Sequence, residues 1–391
     1  MALQKVRKMR ILYGVVGEGM GHATRSRVVL EHLLTKGHEL HVVVSGRAHD
    51  FIQSVFKDDD RVDITEIVGL HLVQDVDGID RSASLWSNVG QAPESLRHNL
   101  RMYKDVAGRF SADVVISDFE SWAYFYARAH DIPVISIDNI QVLHRCAHAD
   151  EIQGTRSVNF LIARYSAKVK MPGAYHFLVT SFFFPPVRKP RTTLVPPILR
   201  PEILAATRTG GDHVLVYHHK EAIEALLPTL RKLTQYPFRV YGWGEDAVEG
   251  HIRFRPFSQT GFVDDLASAK GAIAGGGFSL MSECVHLKVP LLSVPLQDQF
   301  EQELNARYLQ RNNYGEWVPE LTPEAVTGFL SRLPEHAAAL EGYTSQDNSM
   351  TLECVDELLR RVALGEPPPD TIDAPSMGDV VSSDISDAIG D

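Results

Sequence analysis

The sequence predicts an α/β protein made of two Rossmann-like halves that face one cleft, and three observations predict it. Apolar strand-like runs alternate with amphipathic helical stretches from the first residues onward, the rhythm of parallel βαβ units. Each half carries a glycine-bearing turn between a strand and a helix: Gly17-Glu18-Gly19-Met20-Gly21-His22 near the start and Gly275-Gly276-Gly277-Phe278-Ser279 downstream. Between the halves the composition shifts to Pro185-Pro186, Lys189-Pro190, Pro196-Pro197 and Pro201. A chain of 391 residues with 44% hydrophobic content has the length for about two domains.

Taken in order, Lys8 to Val16 reads as a buried strand. Ala23 to Leu34 follows as a helix with Val28, Val29, Leu33 and Leu34 on one face, and Gly37 ends it. Glu39 to Val44 and Val62 to Val68 are the next strands. Asp113 to Ser117 and Pro133 to Ile137 are two more, separated by the helical stretch Trp122 to His130, and His176 to Ser181 is expected to be the last strand of this half. The proline-rich stretch is read as the interdomain linker. His213 to Tyr217, Phe238 to Tyr241, Ile252 to Phe254, Ala272 to Ala274 and Leu291 to Val294 are the strands expected of the second half. The expected organisation is an N-terminal domain over 1–200 and a C-terminal domain over 201–350. A helix over 351–365 packs back towards the first domain, and an acidic tail over 366–391, without Lys or Arg, is expected to be disordered.

Charge and cysteine usage narrow the class. A formal net charge of -11 argues against non-specific nucleic-acid binding, which needs a basic face to neutralise phosphates. Cys146, Cys284 and Cys354 are odd in number and widely spaced, which suits a reducing compartment. The apolar run after the basic N-terminus is too short and glycine-broken for a signal peptide or membrane span, so residence in the cytoplasm is expected.

The downstream turn begins where an apolar strand ends and a helix starts. Its backbone N–H groups can hold a pyrophosphate, with the helix dipole adding about half a positive charge; the alternative is a tight turn that needs glycine for its backbone angles. Glu283, in the second turn of that helix, either accepts the two hydroxyls of a ribose or faces solvent. The strand Leu291 to Pro295 delivers Gln297, Asp298, Gln299, Glu301 and Gln302 to its C-terminal end, where ligands bind in open α/β sheets. Carboxylates and amides there suit the donors and acceptors of a sugar ring.

The segment Gly275 to Glu283, then Pro295, then Glu301-Gln302-Glu303-Leu304-Asn305-Ala306, resembles the donor-binding signature of GT-B glycosyltransferases, including plant and animal UDP-glycosyltransferases. It is similar to that of the bacterial lipid-linked N-acetylglucosaminyltransferase of peptidoglycan synthesis. The loop Gly17 to Arg25 resembles that of a family 1-like bacterial and archaeal branch. The resemblance implies metal-independent transfer, with inversion, of a sugar from a nucleoside-diphosphate donor, UDP-linked, to an acceptor hydroxyl. It implies no cofactor beyond the nucleotide-sugar co-substrate. By position, Gly276, Gly277, Phe278 and Ser279 would meet the diphosphate, Glu283 the ribose, and Glu301 and Gln302, with Asp298 and Gln299 beside them, the sugar hydroxyls. Asn305 would anchor the helix, and the segment Phe257 to Val263 would receive the uracil through backbone groups near Phe262. Many family members have a phosphate-touching histidine in the place of Gly275. This chain has none, so backbone contacts or another side chain must serve.

The first loop, by the same resemblance, faces the acceptor. His22 stands where animal and plant enzymes place their base, and an imidazole with an ordinary pKa of about 6.5 can take a proton from an acceptor hydroxyl. Packing or capping of the helix start is its alternative role. Asp118 either orients that histidine or caps the next helix. Glu18 is a second candidate base, and Gly19, Gly21 and Arg25 complete the acceptor side. Arg25 either holds an anionic acceptor or the diphosphate, or forms a surface ion pair. Ser181 to Lys189 mixes aromatic and basic residues and is either a membrane contact for a lipid-linked acceptor or a buried strand end. His71 to Asn99 is a polar stretch expected to add acceptor contacts or a lid. Asp75-Val76-Asp77 has the letters of a metal-binding pair but lies in the acceptor half, so no metal is expected. Two other functions share this reading of the fold: a UDP-N-acetylglucosamine 2-epimerase and a non-catalytic nucleotide-sugar-binding protein.

Overall fold

The computed structural model describes residues 7–17, 19–69, 74–75, 78–79, 94, 97–153, 158–256, 258–297 and 299–372. The first half is built on β1 (Arg10–Val15), β2 (Glu39–Ser45) and β3 (Val62–Ile67), then the two-residue strands β4 (Gln74–Asp75) and β5 (Gly78–Ile79), then β6 (Val114–Asp118), β7 (Val134–Asp138), β8 (His176–Thr180) and β9 (Thr192–Val195). Seven of these form one sheet in the order β3-β2-β1-β6-β7-β8-β9, all paired in parallel. Strands buried on both faces appear in sequence as continuous apolar runs. In β1 every residue after Arg10 is buried.

The second half contains β10 (Val214–Tyr217), β11 (Phe238–Tyr241), β12 (Ala247–Glu249), β13 (Ile252–Arg255), β14 (Gly271–Ala274), β15 (Leu291–Ser293) and β16 (Gly315–Trp317). Their order is β12-β13-β11-β10-β14-β15-β16, with β12 the antiparallel edge. The strand order reverses between β10 and β14, and a crevice opens at such a switch point, beyond the C-terminal ends of the strands.

Three strands of the two large sheets correct the sequence reading, beside the unexpected small pair β4 and β5. The first half does not end at β8: Thr192–Val195, inside the expected linker, pairs in parallel with it. The short edge strands β12 and β16 were likewise not expected. The tail differs at its start. Glu366 and Pro367 accept from the Tyr175 hydroxyl, Asp370 O accepts from Thr192 N at 2.9 Å, and Ile372 N donates to Thr193 Oγ1 at 2.9 Å. This segment covers the open edge of β9, satisfying backbone groups that an edge strand leaves bare. The acidic residues 373–391 lie outside the described residues.

Helix α1 (Met20–Thr35) packs on the first sheet, and the last helix, Ser349–Ala363, buries Met350, Cys354, Val355, Leu358 and Leu359 in the same core as Ile11, Leu30 and Leu33. Another core cluster runs through both halves without a break. Its bridging contacts are aromatic: Phe182 stacks on Phe278 at 5.9 Å, and Phe183 on Tyr308 at 3.9 Å. Of the two roles open to Ser181–Lys189, burial therefore holds for its aromatic part, with Phe182 and Phe183 both 2% exposed. No helix among the described residues is long and apolar enough to cross a membrane.

Candidate active site

Helix α1 starts at the C-terminal end of β1, with Gly19 as its extended N-cap and no side chain capping it. His22 lies in its first turn. Arg25 and Ser26, one turn on, point the same way, since residues three and four apart share a helix face. All three reach Asp118 at the C-terminal end of the neighbouring strand β6. His22 Nδ1 lies 2.9 Å from Asp118 Oδ1; Arg25 Nε donates to Oδ2 at 2.8 Å and its Nη2 to Oδ1; Ser26 Oγ donates to Oδ2 at 3.0 Å. Asp118 does not cap the next helix. That role falls to Glu120, whose carboxylate accepts from Trp122 N and Ala123 N at the start of Ser121–Ala129. Between them Phe119 holds a φ of 55°, a left-handed conformation that costs a bulky side chain energy and turns the chain sharply after Asp118.

Burial sets the electrostatics of this cluster. Burial alone would raise the Asp118 pKa, but Arg25 and His22 outweigh it and hold the carboxyl well below the usual carboxylate range. For His22, burial and then the Arg25 charge push the pKa down, against the pull of Asp118. The imidazole is therefore neutral at pH 7. Burial opposes the Arg25 charge, yet Asp118, Asp138 and Glu301 raise its pKa further. Arg25 is 6% exposed and paired with Asp118, so the ion pair is a buried one and not the surface pair that was the alternative.

The downstream turn faces this cluster directly. Helix α11 (Phe278–His286) also starts uncapped, at Gly277. The two helix starts touch: a Cβ on Gly21 would stand 2.5 Å from Ser279 Oγ. At the N-caps Gly19 and Gly277, by contrast, a Cβ would meet nothing within 4 Å. Two sets of unpaired N–H groups thus border the same open part of the cleft. Phe278 can contribute only its backbone there, because its ring is buried against Phe182.

Gln302 has a different place from the one expected. Its Oε1 accepts from Gly276 N and Leu296 N, both at 3.1 Å, and its Nε2 donates to Gln299 Oε1 at 2.6 Å. The side chain splints the glycine turn to the loop after β15, so its carbonyl oxygen is committed to the turn, and any sugar contact would have to use the remaining amide N–H groups of Gln302 and Gln299. Asn305, fully buried, donates to Gly276 O from the next turn of helix Phe300–Arg311. Gly276 must lack a side chain, since a Cβ there would lie 2.5 Å from both Gln302 Cβ and Gln302 O. Glu301 sits in the first turn of the same helix.

Glu283 is 7% exposed and pairs through both oxygens with Arg200, each contact 2.8 Å. Burial raises its pKa, against Arg200. The solvent-facing alternative is thereby corrected, and any ribose contact would have to share this carboxylate with Arg200. Phe262 lies inside helix Gln259–Ser268, with its N–H donated to Ser258 O and its ring against Tyr217 and Tyr241. The Phe262 N–H is thus already used within the helix start. Glu18, Asp298 and Phe257 lie outside the described residues, as does most of His71 to Asn99.

One pair was missed. His218 and His219 follow β10 at the switch point, with their Nδ1 atoms 2.7 Å apart. His218 is 9% exposed, and burial with its neighbour pushes its pKa down to about 4. Its Nε2 would lie 3.2 Å from a Cβ on Gly275, so the imidazole fills the space a side chain at 275 would need. Two consecutive histidines directly after the first apolar run of the second half were the available signal.

A model of the family described as "Glycosyl transferase family 1" matches residues 9–334. An uncharacterized glycosyltransferase of Methanosarcina mazei is 24% identical over 362 residues, covering 81% of this chain and 88% of its own length. Among solved structures, Arabidopsis thaliana UGT89C1 complexed with UDP-L-rhamnose is similar with a TM-score of 0.64 at 13% identity, over 91% of this chain and 100% of the other. The glycosyltransferase VinC in complex with dTDP gives 0.59 at 17% identity, over 91% and 100%.

Proposed function

The chain belongs to glycosyl transferase family 1 and is a glycosyltransferase of the GT-B fold, and on that footing we propose that it carries a sugar from a nucleoside-diphosphate donor to an acceptor hydroxyl in one inverting displacement. The donor sits in the C-terminal half, UDP-linked as in the Arabidopsis neighbour, and the acceptor in the N-terminal half. One observation carries this reading: the His22–Asp118 pair, 2.9 Å apart, stands across the contact of Gly21 with Ser279 from the uncapped start of α11.

With its proton on Nδ1, His22 donates to Asp118 and keeps a bare Nε2; with the proton on Nε2, Nδ1 accepts from Arg25 at 2.7 Å. The ionised Asp118 favours the first form. Nε2 then takes the acceptor proton as the oxygen attacks the anomeric carbon, and Asp118 steadies the imidazolium. The bond to the diphosphate breaks on the opposite face of the sugar, which inverts the configuration. Backbone N–H groups of Gly277, Phe278 and Ser279, with the α11 dipole, meet the charge on the departing diphosphate, so no metal is needed.

The test is His22→Ala. Transfer from a UDP-sugar is expected to vanish, while UDP still raises the melting temperature by mass action. Transfer that survives this substitution, or that stops when a chelator is added to the wild type, would overturn the mechanism.

A further inference from the structure

Helix α7 (Val158–Lys170) buries Phe160 and Ala167, with the Phe160 ring between His148 of the N-terminal half and Phe300 of the C-terminal half. Its other face is apolar yet open to solvent. Val158 is 70% exposed, Leu161 52%, Ile162 45%, Tyr165 63% and Val169 49%. Spacings of three, four, seven and eleven put all five on one stripe of a 3.6-residue helix. Single exposed apolar residues need no explanation, but a contiguous stripe marks an interaction surface.

Cations flank the stripe. Arg164 and Lys168 follow one of its edges, and Arg188 and Lys189 stand beside them on an exposed segment. Their proximity shows in His144, whose pKa is pushed down to about 4 by burial and then by Arg145, Arg188, Lys189 and Arg164. A cavity of about 330 Å³ opens next to the stripe, lined by Leu143, His148, Phe160, Leu161, Arg164 and Arg188. Two guanidinium groups over an apolar floor suit an anionic amphiphile.

We propose that α7 lays its Val158–Val169 stripe into the surface of an anionic lipid bilayer, with Arg164, Lys168, Arg188 and Lys189 against the head groups. The charge pattern selects this occupant. On a chain that carries -11 as a whole, four cations gathered around an apolar stripe are a local exception, and such a rim is complementary to an anionic surface. A second copy docked by the same stripe would set these cations against their own counterparts. An interfacial helix has this layout, apolar on one face with Lys and Arg at its border.

The placement has a consequence for the site. Lys170, the last residue of α7, lies near enough to act on the pKa of His22, and its ammonium stands 3.9 Å over the Phe119 ring. A bilayer under α7 would therefore offer a lipid-linked hydroxyl from the His22 side of the cleft. That consequence rests on the acceptor reading above, whereas bilayer binding does not.

The full chain is sedimented with vesicles of phosphatidylcholine alone or containing phosphatidylglycerol. Binding to the anionic vesicles is expected, at least tenfold tighter than to the neutral ones and weakening with salt. Leu161→Glu with Tyr165→Glu should abolish it, and Arg164→Glu with Lys168→Glu should weaken it by more than tenfold, at about fivefold or more per cation. Leu161, Tyr165 and Lys168 are exposed and Arg164 is half-buried at the cavity rim, so the melting temperature and its rise with UDP should stay close to those of the wild type. Absence of binding to anionic vesicles, equal binding to both kinds, or a wild-type dimer that Leu161→Glu splits would each overturn the proposal. Vesicle binding without sugar transfer would leave it standing and count against the function proposed above instead.

Discussion

Arg25→Gln tests the electrostatic account of the site most directly. Asp118 is 1% exposed and receives hydrogen bonds from Arg25, Ser26 and His22. Removing the guanidinium leaves a buried carboxylate without its cation, at a cost of about 3–5 kcal/mol in stability. The group in contact that can restore neutrality is His22, by holding a proton. The change also removes the Arg25 charge that pushes the His22 pKa down. Unit charges about 4 Å apart interact by roughly 4 kcal/mol at an effective dielectric of about 20, and about a third of that is a tenfold change in a protonation equilibrium. Both effects raise the protonated fraction of His22 at pH 7. The acid limb of kcat/KM is expected to move to higher pH, with a loss of about tenfold at pH 7 that is recovered in alkaline buffer. Arg25→Lys keeps the charge and should keep the limb near its wild-type position. An unshifted limb in Arg25→Gln, or a loss of equal size at every pH, would refute the reasoning; the latter would mean that Arg25 acts on a bound ligand.

Three further outcomes are expected. Gly21→Ala places a methyl group 2.5 Å from Ser279 Oγ and should force the two helix starts apart, lowering kcat/KM by roughly tenfold; adding Ser279→Gly should restore most of the loss, and purely additive effects in the double-mutant cycle would count against the contact. Gly276→Ala meets Gln302 Cβ and O at 2.5 Å, so it should cost about 1–3 kcal/mol in unfolding experiments and remove the melting-temperature rise with UDP; a wild-type response would sink the splint. His176 is fully buried, and burial pushes its pKa down to about 4, so the folded state binds fewer protons than the unfolded chain between that value and about 6.5. Stability should rise with pH across this window and be lost as pH falls through it, by at most about 3 kcal/mol. His176→Asn should flatten the curve of melting temperature against pH; parallel curves would exclude this role.

The parts of the fold legible in the sequence are those where one face or both faces of an element are buried. β1, β2, β6 and β7 are continuous apolar runs, and α1 shows a helical period, so each was expected within a few residues of its place. β9 was hidden for a physical reason. Thr192-Thr193-Leu194-Val195 is flanked by prolines, and its threonines are buried because Thr192 accepts from Arg145 and Thr193 accepts from Ile372. At the site, the His22–Arg25 spacing is one helical turn and can be read directly, but Asp118 lies 96 residues from His22 and was placed by resemblance alone. The Arg200–Glu283 pair, 83 residues apart, left no local signal. The splinting role of Gln302 was not legible because an amide in the first turn of a helix can face a ligand or a neighbouring loop equally well, and only the tertiary fold brings Gly276 and Leu296 to it.

On the proposed reading, the meeting of α1 and α11 ties the contact between the halves to the charge of the donor. Each uncapped helix start carries about half a positive charge, so two of them in contact across the cleft repel. Asp118 and Glu301 act on Arg25 beside them, but Asp118 is already spent on Arg25 and His22. On the proposed reading, a diphosphate bordering both Gly19 and Gly277 turns that repulsion into attraction from both sides. The aromatic stacks Phe182–Phe278 and Phe183–Tyr308 hold the halves together without regard to charge. On that reading the electrostatic part of the contact belongs to the donor, and the geometry that would set His22 opposite the anomeric carbon is completed when the diphosphate is in place.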